Sequence, residues 1–120
     1  MEYKENENVI VRKSFEFAVK IVKRAMELKR NSHNYELASQ VLRSGASVGA
    51  NIAEAQSGQS KRDFISKMQI ALKEANETEY WLRLLMATEV IPKEVAQPLI
   101  ADVKELIRIL VAILKNSKAN

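Results

Sequence analysis

Apolar residues recur every three or four positions in four successive segments of this chain, and short polar breaks separate the segments. That period places them along one side of an α-helix at about 3.6 residues per turn. Only 2 prolines and 3 glycines interrupt 120 residues, which suits long helices. The length fits one domain, residues 1–120, able to bury a core without disulfides or metals.

The spacing predicts a first helix from about Asn8 to Lys29. Val11, Phe15, Ala18, Val22 and Met26 form one stripe, and Ile10, Phe17, Ile21 and Leu28 form a second beside it. At ~100° per residue the two merge into an arc of roughly 200°, wider than a surface helix of a monomer needs. The polar run Arg30–Asn34 follows, with Asn34 placed to cap the next helix. That helix is predicted over 35–56, with an apolar side of Leu37, Ala38, Val41, Leu42, Gly45, Val48, Gly49, Ile52 and Ala53. Gly58 is expected to take the left-handed conformation after it. Ser60 followed by Asp63 resembles a capping arrangement for a third helix, over 61–89. There Phe64, Met68, Ala71, Ala75, Thr78, Leu82 and Leu85 follow a heptad-like pattern. A fourth helix, 93–116, carries Leu99, Val103, Leu106, Leu110 and Ile113. A turn or kink is expected near Pro98, and a frayed tail from Asn116. Short connections between long helices give an all-α, antiparallel up-down-up-down four-helix bundle.

The second helix is built from unusually small residues: Ser44–Ser60 reads SGASVGANIAEAQSGQS. Glycine inside a helix costs about 1 kcal/mol relative to alanine, so Gly45 and Gly49 ask for a compensating close approach. The large residues Phe64, Met68, Trp81 and Leu82 are available to fill the space. Two readings are open: packing within one chain, or a surface shared with a second subunit. Gln40, Ser44, Ser47, Asn51 and Glu54 form a polar stripe on the same helix. Gln40 and Ser44 read as a solvated face. Asn51 and Glu54 sit within the apolar NIAEA, where desolvated polar groups need partners such as Gln69, Lys73 or Asn76.

The absence of cysteine removes thiolate catalysis, disulfides and Cys-ligated metals. His33 is the only histidine and falls in a connection, where a surface role is expected. Glu74 and Glu77 have a carboxylate-pair spacing but lack the histidines that di-iron bundles use. There is no P-loop, dinucleotide motif or catalytic triad, so neither an enzyme nor a cofactor is expected. The polar start MEYKENENV does not resemble a signal peptide, and no apolar run approaches the ~20 residues of a membrane span. A cytoplasmic protein with no membrane partner is the expectation.

Charge is unevenly placed. Val9–Arg30 holds seven basic residues and two acids, a local excess of +5 against +4 for the whole chain. Arg12, Lys13, Lys20, Lys23, Arg24 and Arg30 are the candidate nucleic-acid contacts, on a face that a homo-oligomer would repeat. A solubilising face is the alternative. No aromatic residues interleave with the basic ones, so stacking on a single strand is not indicated.

The stretch from Ser44 to Leu85 resembles the four-helix-bundle proteins encoded in intervening sequences of bacterial 23S rRNA genes. The matching elements are Asn51-Ile-Ala-Glu54, Ser60 followed by basic residues and Asp63-Phe64, Ile70-Ala71-Leu72, and Glu77 with Glu79, at agreeing spacings. Two departures stand out. Ala55 replaces a glycine common in relatives. Ser57-Gly-Gln59 replaces an Arg-rich turn, so no contact made by that turn is carried over. The resemblance implies a bundle that assembles into a ring, typically a homopentamer, with no established enzymatic activity. It extends to accessory proteins of diversity-generating retroelements, which bind nucleic acid and a reverse transcriptase. Gly45, Gly49, Asn51 and Glu54 are the candidate interface and structural residues. The expected partners are other copies of the chain and structured RNA or another nucleic acid. A protein scaffold without nucleic-acid binding is the alternative.

Overall fold

The computed structural model describes residues 5–31 and 33–119. Four α-helices account for nearly all of them: α1 (Glu5–Asn31), α2 (Tyr35–Gln56), α3 (Lys61–Ala87) and α4 (Lys93–Ala119). Each packs on the next, α4 closes against α1, and the two diagonal pairs stand apart. Side-chain pairings give the directions. Ser14 and Ile21 of α1 face Gly49 and Gly45 of α2. Glu54 and Arg43 of α2 meet Lys67 and Glu74 of α3. Lys13 and Lys20 of α1 meet Glu105 and Asp102 of α4. In each pair the numbering runs in opposite senses, so these neighbours are antiparallel. The bundle measures 47 × 21 × 18 Å, and a 27-residue helix at about 1.5 Å per residue runs most of that length.

The core is continuous along the axis. Ile10, Phe17, Ile21, Val48, Ile52, Met68, Leu82, Leu85, Leu106 and Leu110 are among its fully enclosed side chains. Buried hydroxyls are satisfied on their own helices: Ser14 donates to the Val11 carbonyl, Ser44 to Gln40, and Thr78 to Glu74. Ser44 is therefore not on a solvated face, as the polar stripe suggested, but at the centre of the bundle.

The ends of the helices differ from the sequence reading in instructive ways. Asn34 stands at the N-cap of α2, but its side chain makes no capping bond. Ser60 does cap α3, accepting from the Asp63 amide at 3.0 Å. Gly58 does not adopt positive φ. Its value is steric, because a Cβ there would stand 3.1 Å from the Ala55 carbonyl and 3.2 Å from Asp63 Oδ2. The left-handed positions are His33 and Glu89. At the end of α3 the Val90 amide bonds the Leu85 carbonyl and the Glu89 amide bonds Met86. This is a Schellman motif with Glu89 where glycine is usual, so the helix stops at Ala87 and not Glu89. In α4 the helix passes through Pro98. Pro98 and Glu94 are both exposed, so water can serve the Glu94 carbonyl that the proline leaves without a donor. The tail expected from Asn116 is instead helical to Ala119, anchored by buried Leu114 and Ser117.

Candidate interaction surfaces

The basic residues of α1 divide into two sets. Lys13 donates to Glu105 at 3.1 Å, Lys20 to Asp102 at 2.9 Å, and Arg24 to Glu27 at 2.9 Å. The first two pairs line the groove between α1 and α4, so α4 supplies the negative charge that the α1 sequence lacks. The bond from Lys20 to Asp102, together with the carboxylate's field, raises the Lys20 pKa above its ordinary 10.5 against a small desolvation effect. Arg12 makes only a 3.5 Å contact with Glu16 between two exposed side chains, an arrangement of little energetic weight. Arg30 and Lys23 are exposed and enter none of the ion pairs among the described residues. The candidate nucleic-acid face of α1 thus keeps Arg12, Lys23 and Arg30, while Lys13, Lys20 and Arg24 are already engaged.

Beside those three lies an apolar stripe. Phe15 is 70% exposed, Met26 54% and Val19 38%. Val11, Ala18 and Val22 are half-buried alongside. Apart from Val19, this is the first of the two stripes read from the sequence. The second stripe, Ile10, Phe17, Ile21 and Leu28, is the one that enters the core. Across the groove, α2 presents the small, partly or fully exposed residues Ala46, Ala50 and Ala53. On α3, Ile70 is exposed, and about 15 Å further along the helix Tyr80 is exposed with the Trp81 ring edge-on to it at 5.4 Å.

The small residues of α2 do allow a close approach, but by a different neighbour from the one expected. A Cβ on Gly45 would meet Ile21 Cγ2 at 2.7 Å, and one on Gly49 would meet the Ser14 carbonyl oxygen at 3.3 Å. Both glycines therefore accommodate α1, not the large residues of α3. Within the chain, Asn51 and Glu54 find partners other than those expected. Asn51 donates to the Ser47 carbonyl on its own helix at 2.8 Å. Glu54 is exposed and pairs with Lys67 at 3.2 Å. Gln69, Lys73 and Asn76, the partners expected for them, are solvent-exposed and take no part.

What does bind α2 to α3 is a network that sequence reading missed. The Arg43 guanidinium donates to both Glu74 and Glu77, and Glu77 also accepts from the Trp81 indole nitrogen at 3.2 Å. The i, i+3 spacing of Glu74 and Glu77 was visible, yet nothing local indicated a cation 31 residues earlier. His33 lies at the surface with Nδ1 3.1 Å from the Tyr35 hydroxyl. Among the described residues no group of three His, Cys, Asp or Glu could hold a metal ion, and no helix is long and apolar enough to cross a membrane.

Comparison with known proteins agrees with this architecture. A crystal structure from Bacteroides thetaiotaomicron, described as a protein with unknown function from the S23 ribosomal protein family, superposes with a TM-score of 0.89. It is 48% identical, and the match covers 92% of this chain and 98% of that one. No match was found among curated proteins. The family model described as 23S rRNA-intervening sequence protein matches residues 6–112, and the chain belongs to that family.

Proposed function

We propose that this protein is a non-enzymatic homo-oligomeric helical bundle that binds nucleic acid. The observation that carries the assembly is the exposed stripe of Phe15, Val19 and Met26. Large apolar side chains gathered on one face, next to small residues and rimmed by charge, mark a protein contact surface. The aromatic pair of α3, exposed Tyr80 with Trp81, lies on a different helix. A contact joining one copy's α1 stripe to the next copy's Tyr80–Trp81 pair is head-to-tail and closes into a ring when the rotation permits. Five copies is the number that the family resemblance implies.

Nucleic-acid binding rests on the basic excess and on the resemblance. Ring formation would multiply each subunit's positive field. Arg12, Lys23 and Arg30 are the α1 cations best disposed to reach phosphates, although they border the apolar stripe. The engagement of Lys13, Lys20 and Arg24 within the chain favours the second reading, a protein scaffold, if no nucleic acid binds.

The test of assembly is a Phe15→Glu, Met26→Glu double variant. Both side chains are mostly exposed, so the helical content should persist while the assembly falls to single chains. A double variant that keeps the parent's mass in solution would remove α1 from the contact.

A further inference from the structure

α4 sorts its charges by side. Its three acids, Glu94, Asp102 and Glu105, all line the groove against α1. Its five basic residues, Lys93, Lys104, Arg108, Lys115 and Lys118, are all exposed. At ~100° per residue these five fall within an arc of about 80°, and the acids lie outside it. That arc faces away from α1, toward the side of α4 that adjoins α3. None of the five enters an ion pair among the described residues, in contrast to Lys13, Lys20 and Arg24 of α1. Lys61, also exposed and unpaired, stands at the start of α3 on the adjoining side. From Lys93 to Lys115 the edge runs about 33 Å at ~1.5 Å per residue.

We infer that this outer edge of α4 is a phosphate-contacting surface for double-stranded nucleic acid. It rests on the nucleic-acid reading above and moves the contact from α1 to the opposite side of the bundle. Three features select the partner. A straight row of free cations matches a duplex, which carries about one charge per 1.7 Å of axis. α4 contains no aromatic residue, so it offers no platform for stacked single-stranded bases. Its only large exposed apolar side chain is Val111, too little to anchor a protein partner. The placement also fits assembly. The free cations of α1 border the apolar stripe, where a second copy would crowd them, whereas the α4 edge lies away from that stripe and would repeat around a ring.

The probe is a mixed-sequence RNA duplex of about 20 base pairs, longer than the edge even at the shorter rise of an A-form helix. Its binding is titrated against salt for the parent, for Lys104→Glu, Arg108→Glu, Lys115→Glu, and for Arg12→Glu, Lys23→Glu, Arg30→Glu. A set with Lys104, Arg108 and Lys115 changed to Gln guards against misfolding, and circular dichroism confirms helicity throughout. The α4 charge reversal should weaken binding at least tenfold, by a rough count of lost phosphate contacts, and should reduce the log–log salt slope by about 3. The Gln set should flatten the slope similarly. Unchanged affinity and slope in both α4 sets would overturn the inference. Loss confined to the α1 variant would overturn it while leaving the α1 nucleic-acid reading in place. A parent that ignores the duplex at low salt would remove both. Equal affinity for poly-glutamate would assign the edge to acidic proteins and overturn it as well.

Discussion

Gly45 on α2 lies directly against Ile21 on α1: a Cβ added to the glycine would stand 2.7 Å from Ile21 Cγ2, 3.1 Å from Cγ1 and 3.2 Å from Cβ. Ile21 is fully buried and branched at Cβ, so it cannot swing aside. This contact sets how closely the first two helices approach. Gly45→Ala should therefore lose about 1 to 2 kcal/mol of stability, the overpacking cost exceeding the ~1 kcal/mol helix-propensity gain. Gly49→Ala meets a single backbone oxygen at 3.3 Å, and the two effects should nearly cancel. Chemical denaturation at one fixed protein concentration compares them. Equal losses in the two variants would contradict the contact's role.

The end of α3 holds a position where the sequence works against the fold. Glu89 adopts φ 61° at the Schellman site, a conformation that costs a non-glycine residue roughly 1 to 2 kcal/mol. Its side chain is exposed and takes part in no ion pair among the described residues. Glu89→Gly should stabilise the chain by about 0.5 to 1 kcal/mol, after glycine's greater unfolded-state entropy is subtracted. A thermal melt reads this as a rise of a few degrees. A lower melting temperature would show that the Glu89 side chain contributes more than its geometry indicates.

The Lys20–Asp102 pair links α1 to α4 and carries a pH signature. Its bond holds the Lys20 pKa above the ordinary 10.5. The stabilisation is therefore fully present below about pH 10.5 and is lost as pH rises through the folded-state value. Melting temperatures measured from about pH 9 to 12 should fall less steeply for Asp102→Asn than for the parent. Parallel curves would mean that the pair adds nothing to stability in solution, as is common for exposed ion pairs.

Much of this architecture is legible in the sequence, and the failures have physical causes. The 3.6-residue period located all four helices, and the heptad-like run from Phe64 to Leu85 is the core face of α3. The glycines of α2 announced a close approach, but local sequence carries no information on which helix approaches, and Ile21 was the answer. Lys13 and Lys20 read as free cations because their carboxylates lie 92 and 82 residues away. The row from Lys93 to Lys118 was visible at helical spacing, yet net charge by segment hid it. Three acids on the same helix reduce its net charge to +2 while facing the other way. Phe15 and Met26 read as apolar, and only the fold shows that they stay outside.

The most direct test of the account is the mass of the unmodified protein in solution, by sedimentation equilibrium over a wide concentration range. The exposed stripe of Phe15, Val19 and Met26 predicts a single species holding a fixed number of chains, which falls apart when Phe15 and Met26 become Glu. A protein that sediments as one 120-residue chain at every concentration would contradict self-association through α1.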